Sequence, residues 1–247
     1  MEELVRVTLI GLFFGTFGTT LGGIIGIAFK STSKKFLSFI LALASGLMMA
    51  IICFDLIPEA LEISNIANTL IGILLGIVIM IGCNIIVEKK LKIKTPKSNS
   101  INTMLKTGII VSLGLAIHNF PEGLAIGSGM EASFKLGINL AIAIFLHDIP
   151  EGISMAVPMK AGGMSKSKII LYVVLSGVTT GIGALIGAIV GKISQAIIGI
   201  CLSFAAGAML YIVSGELTPE ANNLYRGKLT ALGNILGILL GIFATLN

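Results

Sequence analysis

The chain has 247 residues, 55% of them apolar and 12% charged, with a mean hydropathy of +1.02. A soluble globular domain carries about 25% charged residues, so the composition excludes one and points to a polytopic membrane protein. The net charge of +5 acts here as a topology signal, not as a footprint for nucleic acid.

Runs of about 20 apolar residues predict membrane-spanning helices. Eight are expected, over 4–29, 36–58, 67–88, 104–128, 134–158, 168–191, 194–217 and 228–246. The first run is preceded by Glu2 and Glu3 and followed by Lys30, Lys34 and Lys35. That is the reverse of a leader's basic flank, so a span is expected, not a cleaved signal. Residues 89–103 hold Lys89, Lys90, Lys92, Lys94 and Lys97 with Pro96, Ser98 and Ser100, which predicts a basic loop without histidine. All lysines and arginines except Arg6, Lys135 and Lys192 fall near the loops after spans one, three, five and seven. By the positive-inside rule those loops, 89–103 included, are cytoplasmic and both termini face outward. Cys53, Cys83 and Cys201 lie in apolar runs without CxxC spacing and read as reduced, structural residues. Glu131 reads as a solvated loop residue.

The fourth and fifth spans carry two copies of one hexapeptide, His118-Asn119-Phe120-Pro121-Glu122-Gly123 and His147-Asp148-Ile149-Pro150-Glu151-Gly152. They contain both histidines of the chain. Positions i and i+4 share a helix face, so His118 stacks over Glu122 and His147 over Glu151. Imidazole with carboxylate is a transition-metal ligand set. Pro121 and Pro150 lack an N–H, leave the carbonyls of Ile117 and Leu146 without their helical partners, and predict kinks.

An internal repeat relates the two ends of the chain. Ala44-x-Gly46-x-Met48 recurs as Ala205-x-Gly207-x-Met209, and Asp55-Leu56-Ile57-Pro58-Glu59-Ala60 as Glu216-Leu217-Thr218-Pro219-Glu220-Ala221. The same offset pairs Thr19, Gly22 and Gly26 with Thr180, Gly183 and Gly187, and Thr69, Gly72 and Gly76 with Thr230, Gly233 and Gly237. Spans one to three therefore match spans six to eight. The shift is an odd number of spans, so the copies run in opposite directions, as in many secondary transporters. The expected architecture is all-α: one domain over 1–247, with repeat one at 4–88, metal-binding helices at 104–158 and repeat two at 168–246, in a 3+2+3 arrangement.

Asp55, Glu122, Asp148, Glu151 and Glu216 lie inside predicted spans, where an ionised carboxylate costs about 2.5–3.5 kcal/mol. No lysine or arginine inside the spans pairs with them. Two divalent cations would balance Glu122, Asp148, Glu151 and Glu216. The ligand types favour Zn²⁺, Fe²⁺, Mn²⁺ or Cd²⁺ over Mg²⁺ and Ca²⁺. Metal binding needs a neutral imidazole, so uptake is expected to fall in acid. Met48 and Met209 are core fillers in the ordinary case, with Met48 a candidate auxiliary ligand. Asp55 and Glu216 read as the two mouths of a pathway. Glu59 and Glu220, one turn beyond, read as pathway groups or as solvated helix ends. Thr179 and Thr180 read as packing residues.

The paired hexapeptides resemble the signatures of the ZIP metal transporters, nearest to the short bacterial and archaeal members. The resemblance covers essentially the whole chain, and the paired motif is highly specific. It implies eight spans with outward termini and uptake of Zn²⁺, often with other divalent ions, through a binuclear centre. It places one ion on His118, Glu122 and Glu151, with Met48 as a further ligand. The other falls on Asn119, Glu122, Asp148, Glu151 and Glu216, so Glu122 and Glu151 bridge. His147 stands where members differ, and Asp55 near the outer entrance. The loop at 89–103 departs from the histidine-rich loop of many members.

Two other functions compete with a metal carrier. An intramembrane metal-dependent hydrolase would need a metal with an open position and a separate general base, yet no HExxH and no Ser/His/Asp set is present. A proton-linked carrier of organic solutes would be expected to offer basic or aromatic groups, and the chain has no tryptophan. The expected partners are divalent cations and the lipid bilayer. The stripes Gly72/Gly76 and Gly233/Gly237 would seat either a second copy in a homodimer or an internal neighbour. No organic cofactor is expected, and the substrate is the metal itself.

Overall fold

A computed structural model describes residues 2–28, 33–91 and 101–245. The chain runs α1 (Glu2–Ala28), α2 (Lys34–Ile51), a π-turn (Ile52–Leu56), α3 (Ile57–Ile63), α4 (Ile66–Leu91), α5 (Ile101–Ala132) and α6 (Phe134–Ala161). Then follow α7 (Lys166–Gly191), α8 (Gln195–Ile212), a second π-turn (Val213–Leu217), α9 (Thr218–Leu224) and α10 (Lys228–Thr245). Most of the predicted loop 89–103 lies outside the described residues.

Serines start three of the helices. Ser33, Ser133 and Ser194 accept hydrogen bonds from the backbone N–H of Phe36, Leu136 and Ile197. Each satisfies a donor that the first turn leaves open. Among the described residues, six segments are long and apolar enough to cross a membrane: α1, Lys34–Ile63, Ile66–Ile86, α6, α7 and Gln195–Leu224. Two of these, Lys34–Ile63 and Gln195–Leu224, run unbroken through a π-turn. Of the remaining predicted spans, α10 contains a shorter apolar helix, Lys228–Phe243, and α5 is 32 residues long.

Pro121 and Pro150 lie inside continuous helices, α5 and α6. The irregular turns lie elsewhere, just ahead of Pro58 and Pro219. There Ile57 N–H reaches back to Ile52 O and Thr218 N–H to Val213 O, five residues apart. Such a π-bulge is common at functional sites. Glu131 is also not in a loop. It ends α5 with its side chain 13% exposed and lies 3.7 Å from Lys192, because α7 brings that lysine across it.

The helices pack in two groups. In the first, α1 lies against α6 and α7, and α5 against α6 and α7. In the second, α2 lies against α10 and α4 against α8. The groups meet chiefly through α5 with α8 and α2 with α6. Their meeting surface is the main core, built from side chains such as Met48, Ile51, Ile126, Ile144, Leu202 and Met209.

The glycines that end the two hexapeptides decide the first group's packing. A Cβ on Gly123 would collide with the carbonyl of Thr180 on α7, and one on Gly152 with the carbonyl of Thr19 on α1. Backbone therefore touches backbone at the helix crossings next to Glu122 and Glu151. In lipid, where association rests on close van der Waals contact, only glycine allows this approach.

Candidate metal centre

The crossing of α5 with α6 brings the two hexapeptides together. One ligand atom from each of His118, Glu122, His147 and Glu151 falls in a group whose members all lie within 4.8 Å of one another. All four residues are 0–1% exposed. Nε2 of His118 lies 3.0 Å from Glu122 Oε1 and 3.1 Å from Glu151 Oε1. Nε2 of His147 lies 2.7 Å from Glu122 Oε1 and 3.7 Å from Asp148 Oδ1. The two imidazoles stand edge to face, 6.5 Å between ring centres.

Proximity here is only partly hydrogen bonding. His147 Nε2 and Glu122 Oε1 form one bond. His118 Nε2 and Glu151 Oε1 approach closely, yet neither is aligned for a hydrogen bond. Glu122 Oε2, both oxygens of Glu151 and both of Asp148 are likewise buried without a partner. Unpartnered buried polar atoms are rare and call for an explanation. Lone pairs converging on a common point, with no basic side chain among them, suit a cation. Lys192 pairs with Glu3 and Glu131 at the C-terminal end of α7.

Asn119 is oriented by α7. Its Nδ2 donates to Ser176 O at 3.1 Å and approaches Ser176 Oγ at 3.4 Å. Its Oδ1 remains buried and unpartnered, so the oxygen is the amide atom left to face a cation. Thr180, expected as a packing residue, is fully buried with an unpartnered hydroxyl.

Asp55, Glu216 and Glu220 are not members of the four-residue group. Met48 is fully buried in the main core, to which Met209 also belongs. Asp55 and Glu216 are the fourth residues of the two π-turns. One oxygen of Asp55, Oδ2, is buried without a partner. Glu216 Oε1 accepts a 2.6 Å hydrogen bond from Asn84 Nδ2 on α4. Glu220 is exposed on α9. Sequence reasoning missed Ser176 and Asn84. Asn84 did leave a trace, as an amide in an otherwise apolar run.

A family model described as ZIP Zinc transporter matches residues 85–246. The chain is 32% identical over 270 residues to "Zinc transporter ZupT" of Clostridium perfringens, covering 97% of this chain and 94% of that protein. It is 31% identical over 236 residues to the ZupT of Corynebacterium aurimucosum, covering 89% of each. It is also 38% identical over 138 residues to "Zinc transporter ZIP11" of Xenopus tropicalis. That match takes in 53% of this chain and only 41% of the frog protein's length.

Proposed function

Because this chain belongs to the ZIP zinc transporter family, we propose that it carries divalent transition-metal ions, Zn²⁺ foremost, across a membrane toward the cytoplasm. The observation that carries this reading is the buried group of His118, Glu122, His147 and Glu151, whose polar atoms outnumber their hydrogen bonds. A borderline cation is the guest such donors hold. Carboxylate and imidazole without thiolate also allow release, which a carrier needs.

In this reading the centre is binuclear. One ion takes His118, Glu122, His147 and Glu151, with Met48 as an auxiliary ligand. The other takes Asn119, Glu122, Asp148, Glu151 and Glu216. Glu122 and Glu151 bridge, while Asp55 and Glu220 serve the approaches. Two inverted repeats flank the metal helices in a 3+2+3 plan, with both termini outside and the lysine-rich loop 89–103 in the cytoplasm. The matching places of the two π-turns support the repeat. So does the way Gly123 meets Thr180 while Gly152 meets Thr19, since Thr19 and Thr180 are repeat partners. Transport proceeds by alternating access, the first helix group moving against the second across their aliphatic meeting surface. A homodimer would form on the lipid-facing second group.

The hydrolase alternative loses ground because the family is one of transporters and both histidines fall within the ligand group. Reconstituted vesicles containing a zinc-sensitive dye test the two readings together. Zinc influx is expected at pH 7.5 and is expected to drop several-fold at pH 5.5. The sign follows from His118 and His147: protonation in acid removes the lone pair a metal needs. A rate unchanged between the two pH values would contradict the histidine role. Turnover of a peptide or lipid without zinc influx would overturn the carrier.

A further inference from the structure

Asn84 sits in α4, where the neighbouring Ile81, Ile85 and Ile86 are exposed on a helix that reads as a membrane span. An amide in such a helix is costly unless it finds a partner. Its partners come from the end of α8 and the π-turn that follows. Asn84 Nδ2 donates to Glu216 Oε1 at 2.6 Å and to Tyr211 Oη at 3.3 Å. Both amide hydrogens are thereby used. The ring of Tyr211 packs 3.9 Å from where a side chain on Gly215 would start, which holds the phenol beside Glu216. The bond to Glu216 is charge-assisted and short, the stronger class of hydrogen bond.

This geometry leaves Glu216 outside the group formed by His118, Glu122, His147 and Glu151. Asp55, its partner in the repeat, has no such restraint, since its Oδ2 is buried and unpartnered. The repeat offset takes Asn84 to Thr245 and Tyr211 to Ala50, and alanine has no side-chain hydrogen-bonding group. Among the described residues this restraint is seen at the second π-turn.

We propose that Asn84, with Tyr211, is a positioning residue that parks the Glu216 carboxylate on α4 and makes it a releasable ligand: Glu216 leaves the clasp to meet the ion and returns to it as the ion departs. The inference rests on the carrier reading for the role of Glu216, and on the observed hydrogen bonds for the role of Asn84. A competitor for Glu216 weakens resting zinc affinity and speeds release. Losing one charge-assisted hydrogen bond corresponds to about a tenfold change in an equilibrium.

The test uses purified full-length protein and Zn²⁺ alone. Asn84→Leu keeps similar bulk and suits lipid, so the fold is expected to persist. Titration calorimetry should show zinc binding about tenfold tighter in Asn84→Leu than in wild type, with Asn84→Gln near wild type. In dye-loaded vesicles KM and kcat should both fall in Asn84→Leu. In a Glu216→Gln background, Asn84→Leu should change neither affinity nor kcat further. Equal affinity in wild type and Asn84→Leu, or the same shift in the Glu216→Gln background, overturns the clasp. Zinc binding without flux in wild type would overturn the carrier while calorimetry still judged the clasp. No zinc binding in wild type would overturn both.

Discussion

Vesicles carrying Glu122→Ala or Glu151→Ala should take up zinc at least about 100-fold more slowly than wild type, while Glu62→Ala, on the exposed face of α3, should stay within twofold. Glu122 faces both imidazoles and Glu151 faces His118. Removing either takes a negative charge and two donor atoms from a site with no exposure to water. Breaking a buried charge pair costs about 3–5 kcal/mol, which is more than two decades in binding. The melting temperature gives an independent check. Zinc at 100 times its Kd adds about 2.7 kcal/mol to the stability of a protein that binds it only when folded. Wild type should therefore melt higher in zinc and lower in chelator, and the two alanine variants should not respond. Full flux in either variant would remove these carboxylates from the ligand set.

The second large effect concerns backbone contact. Gly123→Ala should destabilise the protein by about 3 kcal/mol, the upper end of ordinary overpacking costs. Its Cβ would run into the carbonyl of Thr180 and the amide nitrogen of Ala184. Neither is the free end of a side chain, so α5 and α7 must part. Gly82→Ala in α4 is the matched control, because nothing lies within 4 Å of its Cβ position. Alanine favours a helix over glycine by about 0.5–1 kcal/mol, so that variant should be unchanged or slightly more stable. The same chemical change thus carries opposite signs at two helical glycines. Chemical or thermal unfolding of the three proteins in one detergent checks it. Equal stability of Gly123→Ala and wild type would mean that α5 and α7 do not touch as described.

The metal group was legible because its signal is local. A histidine and a glutamate four residues apart on a helix share a face whatever the tertiary structure, and two copies of that spacing needed only one helix crossing to meet. The glycines at 123 and 152 were visible as motif members, but their contact with Thr180 and Thr19 was not. Crossing points depend on partners far away in sequence. The π-turns escaped for a different reason. These helices are largely buried and apolar on most sides, so one extra residue in a turn leaves little mark on the hydropathy pattern, and Val213–Leu217 reads like any other turn. Nor did the sequence tell which prolines accompany a widened turn. At Pro121 and Pro150 the helices remain α-helical. Ahead of Pro58 and Pro219 the chain widens instead. Asn84 was legible only as an oddity, since its partner Glu216 lies on α8's π-turn, reached through α4–α8 packing.

Carboxylates survive in this oily interior, in the proposed function, because a cation sits between α5 and α6. Anomalous diffraction from zinc-soaked crystals of the full chain, recorded above and below the zinc edge, tests it directly. An anomalous peak within bonding distance of His118 Nε2, with carboxylate oxygens of Glu122 and Glu151 about 2.0–2.2 Å from it, is the expected result. Zinc-saturated crystals with no anomalous signal between these side chains would contradict it.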